Sequence, residues 1–262
     1  MQKVIYTVEN QVAKVTLNRP SLHNAFDEEV ISDLIKCFDD AQINQDVRVL
    51  ILQSEGKTFS AGADLQWMQK MAGYTHAENL ADAKNLALML HKLFTLKKPT
   101  IARIQGAAFG GAVGLIACCD IAIASKLSKY CLSEVKLGLL PATISPYVIN
   151  AVGARYAKRL FMTAEVISAR RARRIGLISE TVSEEELDEE INAIVDKILK
   201  NGPNAVSLSK SLVNEIQHLP INNNLMDMTS HTIANARTSV EGQEGIQAFL
   251  QKRSPNWVNK DD

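Results

Sequence analysis

The order of the hydrophobic patterns along the chain constrains the fold more than any other feature. In the first two thirds, patterns typical of strands at 47–52, 100–104 and 121–124 alternate with helical patterns at about 77–96 and 111–119. Alternation of this kind predicts largely parallel strands that are joined by right-handed crossovers. The expected fold class is therefore α/β.

The first 40 residues predict a hairpin followed by a helix. Residues 4–8 and 12–17 alternate between apolar and polar side chains, and the turn-prone residues 9–11 separate them. Asp27 is a plausible N-cap, after which Val30, Leu34 and Phe38 fall on one helical face. We expect that face to pack on the sheet.

The last third has only helical patterns. Helices are expected at 184–199, 203–216 and 225–237, and a final helix is expected to open with a capping box from Thr238 to Glu241. Low-complexity runs and long linkers are absent from the sequence. These patterns predict a core at 1–190 and a C-terminal helical region at 191–262.

Charge and hydropathy exclude several classes of function. The chain has 262 residues, of which 46% are hydrophobic, so it can bury a substantial core. Because 29 basic residues balance 29 acidic ones, no global field attracts nucleic acid. The longest apolar stretch, 106–119, is too short to span a bilayer, and the N-terminus lacks a signal-peptide pattern. We therefore expect a cytoplasmic protein with no membrane partner.

The four cysteines do not predict a metal site. They form no C-x-x-C motif, and no histidine lies near them at the spacing of metal ligands. We expect reduced, buried thiols, no bound metal and no cofactor.

Two glycine-containing loops, at 59–64 and 106–112, each follow a strand and open a helix. The unpaired amides of a helix N-terminus favour an anion, so either loop could bind one. Neither loop has the pattern of a phosphate loop or of a dinucleotide fingerprint. Tight turns and close packing are the alternative interpretation of both loops.

The order of these two loops and of the segment Tyr130 to Pro141 resembles the crotonase, or enoyl-CoA hydratase and isomerase, superfamily. The resemblance extends from the first hairpin to residues 249–253. It implies a crotonase-like fold of repeated ββα units in a superhelix, with a C-terminal helical region that builds homotrimers or dimers of trimers. It also implies an acyl-CoA substrate and no separate cofactor, since coenzyme A arrives as part of the thioester.

The resemblance assigns roles to individual residues. The amides of Ala63 and Gly111 would form an oxyanion hole for the thioester oxygen, and Glu134 would move protons. His23 would make contact without catalysing, and Phe249 and Lys252 would reach the nucleotide end of a neighbouring subunit's ligand. The complete set of predicted substrate or coenzyme A contacts is Leu22, His23, Ala25, Ala61, Gly62, Asp64, Leu65, Gly110, Gly114, Ser133, Leu139, Pro141, Phe249 and Lys252.

Gly114 departs from the pattern of the family's hydratases, which commonly carry a second glutamate at this position. Glu134 would then act alone or with bound water. The segments 110–120, 132–138 and 145–148 resemble the bacterial methylglutaconyl-CoA hydratases, which act in leucine degradation. A branched glutaconyl group would need space, and we expect Gly114 to supply it. Hydration at a tertiary carbon, where positive charge is better tolerated, would also need less help from a second acid.

Two alternatives remain open from the sequence. A double-bond isomerase would need only one carboxylate to move a proton between C2 and C4. A non-catalytic or RNA-binding member of the fold would explain the basic cluster at 170–174, although a solvated helix face explains that cluster more simply.

Overall fold

The computed structural model describes residues 2–258, so residue 1 and residues 259–262, at the ends of the two predicted regions, lie outside the described residues. Its strands are β1 (Val4–Glu9), β2 (Val12–Leu17), β3 (Val49–Ser54), β4 (Thr100–Ile104), β5 (Ala107–Phe109), β6 (Ile121–Ser125), β7 (Lys129–Cys131), β8 (Ile167–Ser168) and β9 (Glu180–Val182). Its α-helices are α1 (Glu28–Ile43), α2 (Leu65–Met71), α3 (His76–Thr95), α4 (Gly111–Cys118), α5 (Ser145–Thr163), α6 (Ala169–Arg174), α7 (Leu187–Leu199), α8 (Pro203–Ile216), α9 (Asn223–Thr238) and α10 (Val240–Leu250).

The larger sheet has the strand order β1-β2-β3-β4-β6-β9. The hairpin of β1 and β2 is antiparallel, and each of the other neighbouring pairs is parallel. The predicted hairpin and the predicted parallel strands are both confirmed. In a smaller sheet, β5-β7-β8, β5 belongs to the second glycine loop and β7 shortly precedes Glu134.

Both faces of the larger sheet are buried, because successive side chains of a strand point to opposite faces. Leu50 and Leu52 belong to the main core, which includes residues of α1, α3 and α4. Val49 and Ile51 instead pack with Ile191 and other residues of α7 on the opposite face. This double burial explains why β3 appears in the sequence as a continuous apolar run.

Local interactions set several helix ends. The Asp27 side chain accepts a hydrogen bond from the Val30 amide at 2.9 Å, so the predicted N-cap of α1 is confirmed. The predicted capping box of α10 is wrong. Ser239 caps that helix, while the Glu241 carboxylate accepts hydrogen bonds from the amides of Asn204 and Ala205 at 2.9 and 2.7 Å. The unpaired amides at the start of α8 attract this carboxylate, which ties α10 to α8.

Helix α5 was not predicted, and it lies close to α4 and to the 3-10 turn that begins at Glu134. Among the described residues, no helix combines the length and the apolar character that crossing a bilayer requires.

Candidate active site

The two glycine loops lie side by side. The Ser60 amide donates to the carbonyl of Ala107 at 3.1 Å, and the Phe109 amide donates to the carbonyl of Ser60 at 3.0 Å. Ser60 and Ala108 are therefore parallel partners. Ala63 and Gly111 each follow their partner by three residues, so the pairing brings the two predicted oxyanion residues to the same end of the site.

The first loop also pairs with Phe26. The Phe26 amide donates to the carbonyl of Gly62, and the Asp64 amide donates to the carbonyl of Phe26, each at 2.7 Å. Because amides alternate in direction along an extended segment, the intervening Ala63 amide points away from Phe26. Gly62 has φ +91°, and a Cβ there would lie 2.8 Å from the Phe109 carbonyl oxygen, so only glycine fits.

The second loop ends at the N-terminus of α4. Gly110 has φ +53°, and its amide donates to the carbonyl of Cys131 at 2.8 Å. Gly111 is the first residue of the helix, where an amide has no intrahelical acceptor. A Cβ at Gly111 would lie 3.5 Å from Cε2 of Phe26. Phe26 thus contacts both loops, one through its backbone and the other through its ring.

Within residues 2–258, the amides of Ala63 and Gly111 donate to no protein acceptor. Ala63 is exposed and Gly111 is partly exposed, so a ligand can approach both. Two free amides, one of them at a helix N-terminus, form a suitable site for an oxygen on which negative charge develops. Their role as an oxyanion hole remains a prediction that this arrangement supports.

Glu134 begins a 3-10 turn, Glu134–Leu137, beside the second loop. A Cβ on Gly110 would lie 3.4 Å from Oε1 of Glu134, which places the carboxyl group next to the predicted oxyanion residues. Its Oε2 is buried and has no hydrogen-bond partner among the described residues. Burial raises the pKa of Glu134 above its ordinary value. A carboxyl group in such a place is suited to both accepting and returning a proton.

Gly114 does not supply the expected space. A Cβ there would lie 2.2 Å from Cγ2 and 2.7 Å from Cβ of Ile144, and Ile144 is almost completely buried. The residue before α5 therefore fills the volume that a side chain at position 114 would occupy. The expectation that Gly114 makes room for a branched acyl group is wrong. Because α5 was not predicted, no sequence pattern indicated this contact.

The Asp64 carboxylate is used inside the protein. Oδ1 accepts from the amides of Gln66 and Trp67 and so caps α2, while Oδ2 accepts from Arg19 at 2.9 Å. Asp64 is 7% exposed. The predicted contact of Asp64 with substrate or coenzyme A therefore gains no support from its carboxylate, and only the backbone of Asp64 is left for such a contact.

The other predicted contacts fall into three groups. Around the first loop, Leu22, His23, Ala61 and Leu65 are exposed and Ala25 is buried. The Ala61 amide donates to the carbonyl of His23, and the His23 ring lies 3.2 Å from the Thr58 hydroxyl.

Around the 3-10 turn, Ser133 is partly buried, Leu139 is exposed and Pro141 is buried. Phe249 and Lys252 are exposed at the end of α10, and their contact across a subunit boundary remains a prediction.

The basic cluster at 170–174 is partly neutralised. Arg171 pairs with Glu165 at 2.9 Å, and Arg173 pairs with Glu180 at 2.9 Å. These pairs favour the interpretation of the cluster as a solvated helix face. A cavity of about 710 Å³ lies elsewhere, bordered by α8, α9 and α10. Ala63, Gly111 and Glu134 do not line it.

Sequence reasoning missed Arg19, Phe26 as a structural link, and Ile144. The segment Asn18-Arg19-Pro20 directly after a strand was a possible signal, because a charged residue at such a place needs a partner when it is buried. Their partners in the site are Asp64 for Arg19, Gly62 and Gly111 for Phe26, and Gly114 for Ile144. Each of these partners is at least 30 positions away along the chain, so no local pattern reveals the contact.

The mostly parallel sheet, the paired glycine loops and the adjacent carboxyl group together define an α/β protein of the crotonase type. A crystal structure of an enoyl-CoA hydratase from Shewanella pealeana ATCC 700345 superposes with a TM-score of 0.95 at 45% identity, covering 98% of this chain and 96% of that chain. Among curated proteins, the crotonyl-CoA hydratase of Syntrophomonas wolfei is 32% identical over 99% of both chains. The short-chain-enoyl-CoA hydratase of Clostridium acetobutylicum is 32% identical over 97% of this chain and 96% of its own length.

The family model described as enoyl-CoA hydratase/isomerase matches residues 7–260. This chain therefore belongs to the enoyl-CoA hydratase/isomerase family. The predicted superfamily, fold class and class of enzyme are confirmed.

Proposed function

We propose that this protein is a hydro-lyase that adds water across, or removes it from, the double bond of an α,β-unsaturated acyl-CoA. The observation that carries the proposal is the pair of free amides at Ala63 and Gly111, with the Glu134 carboxyl beside the second loop. Relatives that are named as hydratases over nearly the whole chain support the same reaction.

The proposed mechanism uses one carboxyl group twice. The Glu134 carboxylate takes a proton from water as the water oxygen bonds to C3, and the electrons of the double bond move onto the thioester oxygen. The two amides stabilise that enolate oxygen, and removing one such donor in other enzymes costs roughly 3 kcal/mol of barrier. The enolate then takes a proton at C2 from the Glu134 acid. Raising the pKa of Glu134 by burial brings its two protonation states closer in free energy, which suits both steps.

We further propose a branched glutaconyl-CoA, such as 3-methylglutaconyl-CoA, as the substrate. The support is the resemblance of the segments around Gly110, Glu134 and Ser145, together with the ability of a tertiary carbon to accept water with a single acid. Lys136 follows Glu134 on the same 3-10 turn and forms no ion pair among the described residues, so it is available to a distal carboxylate. Because Ile144 fills the space at Gly114, the branch must be accommodated elsewhere.

A second candidate is a double-bond isomerase, and the lone carboxyl group at Glu134 favours it as well. An isomerase would move a proton between C2 and C4 and would take up no oxygen from water. Catalysis in ¹⁸O-water separates the two reactions, since only hydration puts the label in the product.

The decisive experiment is a panel of enoyl thioesters assayed with wild type and Glu134→Gln. The panel contains crotonyl-CoA, 3-methylcrotonyl-CoA and 3-methylglutaconyl-CoA. We expect hydration with the highest kcat/KM on the branched glutaconyl thioester, and a fall of about 100-fold or more in the variant. Equal rates in both proteins would move catalysis to another residue, and preference for crotonyl-CoA would refute the branched substrate alone.

A further inference from the structure

The Arg19 guanidinium lies across the junction of the segments that form the first half of the site. Its Nη1 donates to the carbonyl of Ala25 at 2.6 Å, and its Nη2 donates to Oδ2 of Asp64 at 2.9 Å. Ala25 directly precedes Phe26, and Asp64 directly follows Ala63. One planar group therefore connects both strands of the bridge between Phe26 and Ala63.

The backbone of Arg19 is fixed as well. Its amide donates to Oδ1 of Asn24 at 2.8 Å, and its carbonyl accepts from the amides of Leu22 and Asn24. The Asn24 side-chain amide in turn donates to the carbonyls of Glu55 and Thr58, ahead of the first glycine loop. Hydrogen bonds thus fix the backbone of Arg19, while its guanidinium group holds the first glycine loop.

The charges around Arg19 are arranged for a rigid contact. Its side chain is 14% exposed, that of Asp64 is 9% exposed, and a second carboxylate, Asp27, lies 3.2 Å from Nη1. Lys3 pairs with Asp27 at 2.7 Å from the other side. A guanidinium that bridges two acceptors in fixed directions gives more geometric control than an ammonium group of the same charge.

We propose that Arg19 is a positioning residue that sets the direction of the Ala63 amide by clamping Ala25 to Asp64. Phe26 extends the effect, because its ring lies next to Gly111, which carries the second donor. This inference rests on the proposed function, since it assumes that the Ala63 amide stabilises an enolate oxygen. Displacing a preorganised group by about 1 Å can reduce a rate about 100-fold.

The test compares Arg19→Gln, Arg19→Lys and Asp64→Asn with a control, Asp120→Asn. Asp64→Asn keeps the oxygen that caps α2, so it is the variant most certain to fold. Asp120→Asn breaks the partly buried pair of Asp120 and Lys210, at 2.8 Å, beyond the opposite end of α4. We expect kcat to fall about 10- to 100-fold in Arg19→Gln and Asp64→Asn while KM changes less than about threefold. Arg19→Lys restores the charge but not the double contact, so we expect it to rescue little.

A spectroscopic readout makes the test independent of hydration. Acetoacetyl-CoA forms an enolate that absorbs in the near ultraviolet, and an oxyanion site lowers the pH at which the bound thioester ionises. We expect Arg19→Gln and Asp64→Asn to shift that ionisation upward by about one pH unit, a tenfold loss of enolate stabilisation, and Asp120→Asn to leave it unchanged.

The outcomes separate the inference from the proposed function. If wild type hydrates the thioesters, and Arg19→Gln and Asp64→Asn match it in kcat and in the enolate titration, the positioning role of Arg19 is refuted and the proposed function stands. If wild type fails to hydrate but the clamp variants shift the titration, hydration is refuted and the clamp stands. If wild type does not promote ionisation of the bound probe, the donor pair and the clamp fall together. If Asp120→Asn lowers kcat and shifts the enolate titration as much as Arg19→Gln does, the effect is not local to the Arg19 contact and the proposal is refuted.

Discussion

The contact between Gly114 and Ile144 allows a quantitative prediction. Gly114→Ala adds one methyl group where two atoms of Ile144 lie 2.2 and 2.7 Å away. Overpacking of a core costs about 1–3 kcal/mol, whereas alanine in place of glycine in a helix returns about 1 kcal/mol. We therefore expect a net loss of up to about 2 kcal/mol in the free energy of unfolding.

Truncating the Ile144 side chain should reduce this loss in the free energy of unfolding. Ile144→Ala by itself should cost about 2–5 kcal/mol, because it leaves a cavity among buried groups. Ile144→Ala removes the Cγ2 atom at 2.2 Å but keeps the Cβ atom at 2.7 Å, so Gly114→Ala should cost less in that background than in wild type. The gain in helix propensity cancels in the double-mutant cycle, so the coupling energy equals the part of the overpacking cost of about 1–3 kcal/mol that the removed Ile144 atoms cause.

Urea unfolding followed by circular dichroism measures the free energy of unfolding of wild type, the two single variants and the double variant. All four are measured at one protein concentration, because the stability of an oligomer depends on concentration. Val148→Ala is the matched control. Val148 is fully buried on α5, one turn after Ile144, and is not among the nearest atoms to the Gly114 position. Gly114→Ala should keep most of its cost in that background. Additive effects of the Gly114 and Ile144 substitutions, within about 0.5 kcal/mol, would refute the assigned contact.

Two further predictions concern Glu134 and Glu241. Because burial raises the pKa of Glu134, the kcat/KM of hydration should rise with pH through an apparent pKa above the ordinary glutamate range, and an ordinary value would contradict the assignment. The stability that the neutral acid contributes is present below the ordinary glutamate pKa and is lost as the pH rises through the raised folded-state pKa. Glu134→Gln should therefore gain stability relative to wild type as the pH rises above the ordinary glutamate range, as measured by thermal unfolding. Glu241→Ala removes the carboxylate that caps α8 and should cost about 1 kcal/mol in urea unfolding, whereas an unchanged midpoint would show that water replaces it fully.

Local patterns and contiguous motifs were enough to predict the secondary structure of most of the chain and the family of the protein. Alternating and helical patterns are local, so the hairpin, the N-cap at Asp27 and the parallel strands could be predicted from neighbouring residues. The two glycine loops and the segment around Glu134 could be recognised because each motif is contiguous and their order is specific.

Tertiary structure alone decided what surrounds those motifs. Pairing of Ser60 with Ala108 brings the two loops together, and packing of Ile144 removes the space at Gly114. Asp64, a predicted ligand contact, instead pairs its carboxylate with Arg19 inside the protein. Each of these contacts joins residues at least 30 positions apart, and whether a side chain meets ligand, solvent or another side chain depends on the folded neighbour. Local patterns record which element a residue belongs to, whereas only the packed chain determines what that residue touches.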